Sequence, residues 1–252
     1  MTGRPSAPLD YHRPALPVDN EVEKRPVKLL RRKPTSFEIH VQDMVLRITA
    51  NEDFAEESRA AALSFWEQLQ SYALQHPEFR TSKRPLDPPA AEAPAIVQEM
   101  VASASAAGVG PMFTFQGAVV DQVGRFLTQS LGEVTVACGG DYFIKAKKRV
   151  KLAVKRHGGE PITVALEPDP NGVGVSTTLG RGRGGGGPDG LAVIADSCMS
   201  ADAAAAGVQA LLPKKLGFAQ AVRYLRTVPG VRGGVFVMGE RIGVAGNLEI
   251  AG

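Results

Sequence analysis

Four short stretches in the second half of the sequence carry groups suited to holding a phosphorylated small molecule. Gly108-Val109-Gly110-Pro111 ends one apolar segment and leads into another. Glycines ahead of a helix leave backbone N–H groups open to an anion, although the same residues also make a plain tight turn. Cys138-Gly139-Gly140-Asp141 lies between two strand-like runs. Paired glycines there allow a turn that a Cβ would block, and the acid can accept from a ribose hydroxyl or a ring N–H. An ordinary hairpin turn is the alternative for that stretch. Ser176-Thr177-Thr178 precedes Arg181, Arg183 and a glycine run. Hydroxyl, backbone N–H and guanidinium donors of that kind can grip a diphosphate, whereas the glycines alone read as a linker. Finally, Ser200-Ala201-Asp202 opens an alanine run through Ala206. Ser200 is expected to cap that helix, which puts Asp202 in the first turn where the dipole favours an acid. An acid in that position could equally hold a Mg²⁺ that bridges phosphates.

Other chemistries lack their residues. No Gly-Lys-Ser/Thr follows the glycine run, so there is no Walker loop. His12, His40, His76 and His157 are scattered and share no metal spacing with Cys138 and Cys198. A Gly-x-Ser-x-Gly elbow is missing, and Cys138 reads as a small packing residue with no neighbouring base to activate it.

The elements that must position these stretches follow from periodicity. Phe37–Val41 and Met44–Ile48 alternate and predict a hairpin. Asn51 is expected to cap a helix with Phe54, Ala61, Ala62, Phe65, Leu69 and Tyr72 on one face, ending at Pro77. A Pro-rich connector fills 77–94, followed by helices over 95–106 and 112–127, the second beginning at Met112. Short strands are predicted at 134–137, 142–144, 150–154, 162–166, 173–176 and 191–195. Helices follow at 201–212 and 218–227, and a last hairpin pairs 234–238 with 241–250. Strands and helices mix without a regular βαβ beat, which makes the chain α+β.

Of 28 glycines only Gly3 precedes residue 108, so the chemistry belongs to the later part of the chain. The charge lies elsewhere. Residues 1–36 carry a net +4 with six prolines, which leaves −1 for everything after them. We expect residues 1–36 to form an extended basic arm and residues 37–252 a single domain, with halves at about 37–155 and 156–252. A body of near-zero charge is not the basic stripe of a nucleic-acid binder. No apolar run reaches the roughly 18 residues of a membrane span. Two cysteines are too few for a disulfide framework, so the expected location is the cytoplasm.

In this order, the four stretches resemble the ApbE-like superfamily, whose best-known members are flavin transferases. The closer likeness is to its shorter, functionally uncharacterised branch. The likeness covers about Phe37 to Gly252 and is most specific over 108–206, at Gly108-Val109-Gly110-Pro111-Met112, Gly139-Gly140-Asp141, Ser176–Thr178 and Ala201-Asp202-Ala203. It implies an α+β body of two related halves around a ligand cleft. It further implies FAD or FMN and Mg²⁺ as cofactors, and transfer of FMN onto a Thr or Ser of an acceptor protein.

On that likeness the cofactor-binding residues are Gly108, Gly110, Pro111, Met112, Gly139, Gly140, Asp141, Ser176, Thr177, Thr178 and Arg181. Asp202 is the metal ligand, Thr177 or Thr178 positions phosphate, and Asp141 reads the sugar or ring. Two positions depart from the transferase pattern. Gln116 stands where the pattern Lys-Gly-x-x-x-Asp has its lysine, with Gly117 and Asp121 kept. Ala206 stands where a threonine would share the metal with Asp202. Three functions follow: Mg-dependent FMN transfer, nucleotide binding without catalysis on the same scaffold, or protein interaction through the basic arm around Arg31–Lys33.

Overall fold

The computed structural model describes residues 34–179 and 187–251. Most of the expected basic arm and Arg181 lie outside them. Thr35 and Ser36, expected in that arm, already pair with Ala50 and Thr49 in the first strand. Strand β1 (Thr35–Val41) and β2 (Met44–Ala50) form the predicted hairpin around Gln42-Asp43. Ile39, Val41, Leu46 and Ile48 point into the core while Glu38, His40 and Arg47 point out. Alternation of this kind buries one face of an antiparallel sheet.

Helices α1 (Ala55–Gln75), α2 (Pro77–Thr81), α3 (Ala95–Ala107) and α4 (Phe115–Thr128) come next. The expected Asn51 cap is not used. Asp53 accepts the Ala55 N–H at 3.0 Å, and the helix starts at Ala55 with Phe54 in the capping position. Inside the expected connector Pro77 starts α2, which suits a residue with no N–H to lose. A 3-10 turn over Pro111–Thr114 delays α4 to Phe115 rather than Met112.

Strands β3 (Val134–Cys138), β4 (Asp141–Lys145), β5 (Val150–Val154), β6 (Ile162–Leu166), β7 (Val173–Thr178) and β8 (Gly190–Ala195) follow. Helices α5 (Cys198–Leu211) and α6 (Gly217–Leu225) come after them, then β9 (Val231–Met238), β10 (Arg241–Gly246) and β11 (Glu249–Ala251). The final segment, expected as one strand, ends at Gly246; residues 249–251 cross over to pair with β6.

Eight strands form one antiparallel sheet in the order β1-β2-β3-β4-β7-β8-β9-β10, and β11-β6-β5 form a second. The first four and last four strands of the large sheet each carry helices between their second and third members. The two runs meet where β4 pairs with β7. Helices α1, α3 and α4 cover one face of the first run; α5 and α6 cover that face of the second. The small sheet packs on the opposite face through Val154, Val164 and Leu166 against Val175, Ile194 and Val235. Strand β8 is therefore buried on both faces. Leu191, Val193 and Ala195 turn toward the helices, while Ala192 and Ile194 turn toward the small sheet.

Candidate functional site

The seam between β4 and β7 is where the polar residues gather. Asp141 and Ser176 are cross-strand partners there, both buried in an otherwise apolar sheet. The Ser176 hydroxyl donates to Asp202 Oδ1 at 3.4 Å and also reaches the Asp141 carboxyl. Strand alternation places residues 174, 176 and 178 of β7 on the helix side; Thr178 accordingly accepts from Gln209 of α5.

Asp202 arrives on α5, whose start differs from the sequence expectation. Ser197, not Ser200, caps the helix, accepting the Ser200 N–H at 3.1 Å. The helix then begins at Cys198, and Asp202 falls in the second turn, beyond the reach of the terminal dipole. Its carboxylate is held by α4 instead: the Gly117 N–H donates to Asp202 Oδ2 at 3.3 Å. A Cβ on Gly117 would lie 2.8 Å from the Cys198 carbonyl oxygen, so glycine is what lets the two helices come this close. One turn further along α4, buried Asp121 accepts the Cys198 N–H at 2.9 Å, with the Arg125 guanidinium against its other oxygen. The Gly117…Asp121 spacing is thus a clamp on the start of α5, a role that sequence reasoning did not assign.

The Gly139-Gly140 turn joins β3 to β4 beside these acids. Gly139 has φ +55, and a Cβ on Gly140 would sit 2.0 Å from the Thr177 carbonyl oxygen. That space is occupied by a tight contact between strands: Thr177 donates to the Gly140 carbonyl through its N–H at 2.7 Å and its hydroxyl at 3.0 Å. Beneath the turn, Gln116 Nε2 donates to the Cys138 carbonyl at 2.6 Å. Gln116 is a brace for the turn, and its amide nitrogen is engaged inside the protein.

The turn forms a ridge between hollows. A cavity of about 300 Å³ lies on one side, lined by Gly139, Gly140, Tyr142, Ala153, Lys155, Thr177, Thr178 and Leu179. A second hollow is lined by Gly139 with Met44, Phe115 and Gln116. Gly139, Gly140, Asp141, Ser176, Thr177, Thr178 and Asp202 are therefore brought to one region of the fold. The Gly108–Met112 stretch is not part of the cavity lining. Gly108 closes α3 in the left-handed conformation, Gly110 packs on the Ser82 carbonyl, and Met112 joins the core beneath α4. Arg181 lies outside the described residues.

Burial dominates the electrostatics. It raises the Asp141 carboxyl from 3.8 to about 6, against a smaller lowering by the Ser176 hydroxyl. Asp202 rises well above the ordinary carboxylate range, first through burial and then through the charge of Asp141; the Gly117 N–H and Ser176 oppose this. Two acids in one polar pocket resist ionising together. Among the described residues no group of three or more His, Cys, Asp and Glu forms a metal cluster. Two carboxylates and a hydroxyl are nonetheless hard oxygen donors, the kind Mg²⁺ accepts alongside phosphate oxygens. Ala206, one turn beyond Asp202, adds no ligand atom. Lys155 and Tyr142, which line the cavity, had no sequence signal beyond their strands, because the small sheet's packing against the large one brings the β5 end there.

Residues 27–215 match the protein family described as AbpE bacteria. A UPF0280 protein of Methanocella arvoryzae is 27% identical over 228 residues, covering 86% of this chain and 90% of that protein. A UPF0280 protein of Methanosarcina acetivorans is 25% identical over 241 residues, with 90% and 93% covered. Among solved structures, the apo flavinyl transferase ApbE of Pseudomonas stutzeri superposes with a TM-score of 0.56 at 15% identity, covering 88% of this chain and 96% of that one. Flavin transferase ApbE of Vibrio cholerae gives 0.54 at 12% identity, with 87% and 97% covered. At these identities the structural likeness establishes the fold, an α+β fold of the ApbE type.

Proposed function

We propose, from the premise that this chain belongs to the AbpE bacteria family, that it binds a flavin nucleotide, FAD or FMN, at the β4–β7 seam. The observation that carries this reading is the convergence at the seam of a glycine ridge that lines a cavity with Thr177 and Thr178 and, joined through Ser176, buried Asp141 and half-buried Asp202. Thr178 offers a hydroxyl to phosphate, while Thr177 spends its own on the Gly140 carbonyl and holds the turn; the Tyr142 ring offers a face to an aromatic ring system. Asp141 and Asp202, with the Ser176 hydroxyl between them, fit a Mg²⁺ that arrives with the phosphates. Bound there, Mg²⁺ would neutralise diphosphate charge. The chain's own contribution is orientation: the Gly117 N–H and the Asp121 clamp hold Asp202 in place, and Gln116 holds the turn opposite.

The finer reading is Mg²⁺-dependent transfer of FMN from FAD onto a Thr or Ser of an acceptor protein. A second reading, nucleotide binding without transfer, is favoured by two observations. Gln116 commits its amide nitrogen to the Cys138 carbonyl, and Ala206 gives Asp202 no partner ligand on α5. Titration of FAD fluorescence with and without Mg²⁺ tests the binding. Gel fluorescence of an acceptor protein after incubation with FAD then separates the two readings. Quenching with no Mg²⁺-dependent label on the acceptor selects the binder; no quenching of either flavin nucleotide removes the flavin assignment.

A further inference from the structure

The cavity beside the glycine turn faces a problem of charge. Asp141 and Asp202 stand close by, and their field repels the phosphates that the proposed ligand carries. A cation is needed, and Gln116 is neutral and engaged. Among the described residues the cavity lining contains one candidate, Lys155, the residue that follows β5. Its place is fixed by packing: a Cβ on Gly190 would lie 2.5 Å from the Lys155 carbonyl oxygen, so the end of β5 is pressed onto the start of β8.

The two arginines of this segment are occupied, and Lys151 does not line the cavity. Arg149 pairs with Glu167 and Glu249, and Arg156 donates to the Glu160 carbonyl at 2.7 Å. Among the described residues, none makes a side-chain hydrogen bond or ion pair to Lys155. Lys155 is exposed and lines the cavity together with Thr178, whose hydroxyl accepts from Gln209 and keeps its own proton to donate to an anion. An ammonium with a hydroxyl donor beside it is a phosphate-binding set, and charge-assisted bonds are its strong component.

We infer that Lys155 is the residue that recognises the ligand's phosphate, so that the site prefers a phosphorylated nucleotide to the same ring system without phosphate. This rests on the flavin-nucleotide reading for the identity of the ring, but not for the charge.

The test uses the full chain and three probes: FMN, riboflavin and ADP. In the wild type FMN binds more tightly than riboflavin, and rising salt weakens FMN selectively. Lys155→Met weakens FMN and ADP by about threefold to tenfold, the range for a partly solvated charge contact, and leaves riboflavin unchanged. Lys155→Arg restores the preference. An unchanged thermal midpoint, expected for an exposed side chain, shows that the variants fold. Equal FMN affinity in wild type and Lys155→Met overturns the inference while the flavin reading stands. ADP binding that depends on Lys155, with no flavin bound, supports Lys155 and overturns the flavin reading. A wild-type chain that binds none of the three overturns both.

Discussion

Asp141→Asn should flatten the dependence of stability on pH. Burial raises the Asp141 carboxyl from 3.8 to about 6. The folded state therefore binds its proton more tightly than the unfolded chain does. Stability from this group is complete below about pH 4 and is lost as pH rises through 6. At 1.36 kcal/mol per pH unit the interval corresponds to about 3 kcal/mol. Asp202 shifts in the same direction and extends the loss upward. The asparagine variant would keep a polar contact with Ser176 and carry no charge at that position at any pH. At pH 4.5 the variant should match the wild type to within about 1 kcal/mol, and at pH 7.5 it should be the more stable by up to about 3 kcal/mol. Urea unfolding followed by fluorescence of Trp66, the sole tryptophan, measures both. Adding Mg²⁺ at pH 7.5 should stabilise the wild type more than the variant, because only the wild type has two acids to neutralise. Parallel pH curves for the two proteins would refute the argument.

Further expectations concern the neighbours. Asp202→Ala should keep the fold, shown by an unchanged far-UV spectrum, and remove any Mg²⁺ effect on FAD quenching; a surviving metal response would make Asp202 purely structural. Asp121→Ala strands the Cys198 N–H and leaves Arg125 without its buried partner, at a cost of about 2–3 kcal/mol in urea unfolding. Gly140→Val drives a branched side chain into the Thr177 carbonyl, and should lower the thermal midpoint by several degrees and abolish flavin quenching. A soluble variant with full quenching would contradict the tight strand contact.

Much of the local structure was legible because it obeys short-range rules. The alternation of Ile39, Val41, Leu46 and Ile48 gave the first hairpin, and apolar spacing gave α1 and α4. Caps were harder, since several polar residues compete within a few positions. Phe54 rather than Asn51 takes the capping position of α1, and Ser197 displaced Ser200 on α5, which moved Asp202 off the helix start. Long-range pairing was not legible at all. Nothing in Asp141-Tyr142-Phe143-Ile144 says that its partner is Val173–Ser176, about 30 residues away, rather than the intervening β5. Alternation identifies a strand's inner face but carries no address for its neighbour. Asp141, Ser176 and Asp202 could be named from their turns, whereas their meeting, and the arrival of Lys155, depend on that pairing.

Helix α5 sits across two apolar cores. Cys198 and Met199 are buried with β1–β4 and their helices, while Ala201, Ala203, Ala204, Ala205 and Val208 are buried with β8, β9 and α6. Melting either half would strip one end of this rod of its packing, so the two halves should lose structure in one cooperative event. A reporter in α1, such as the indole of Trp66, then senses what happens on the far side of the sheet, and a guest seated at the seam should delay the collapse of the whole body.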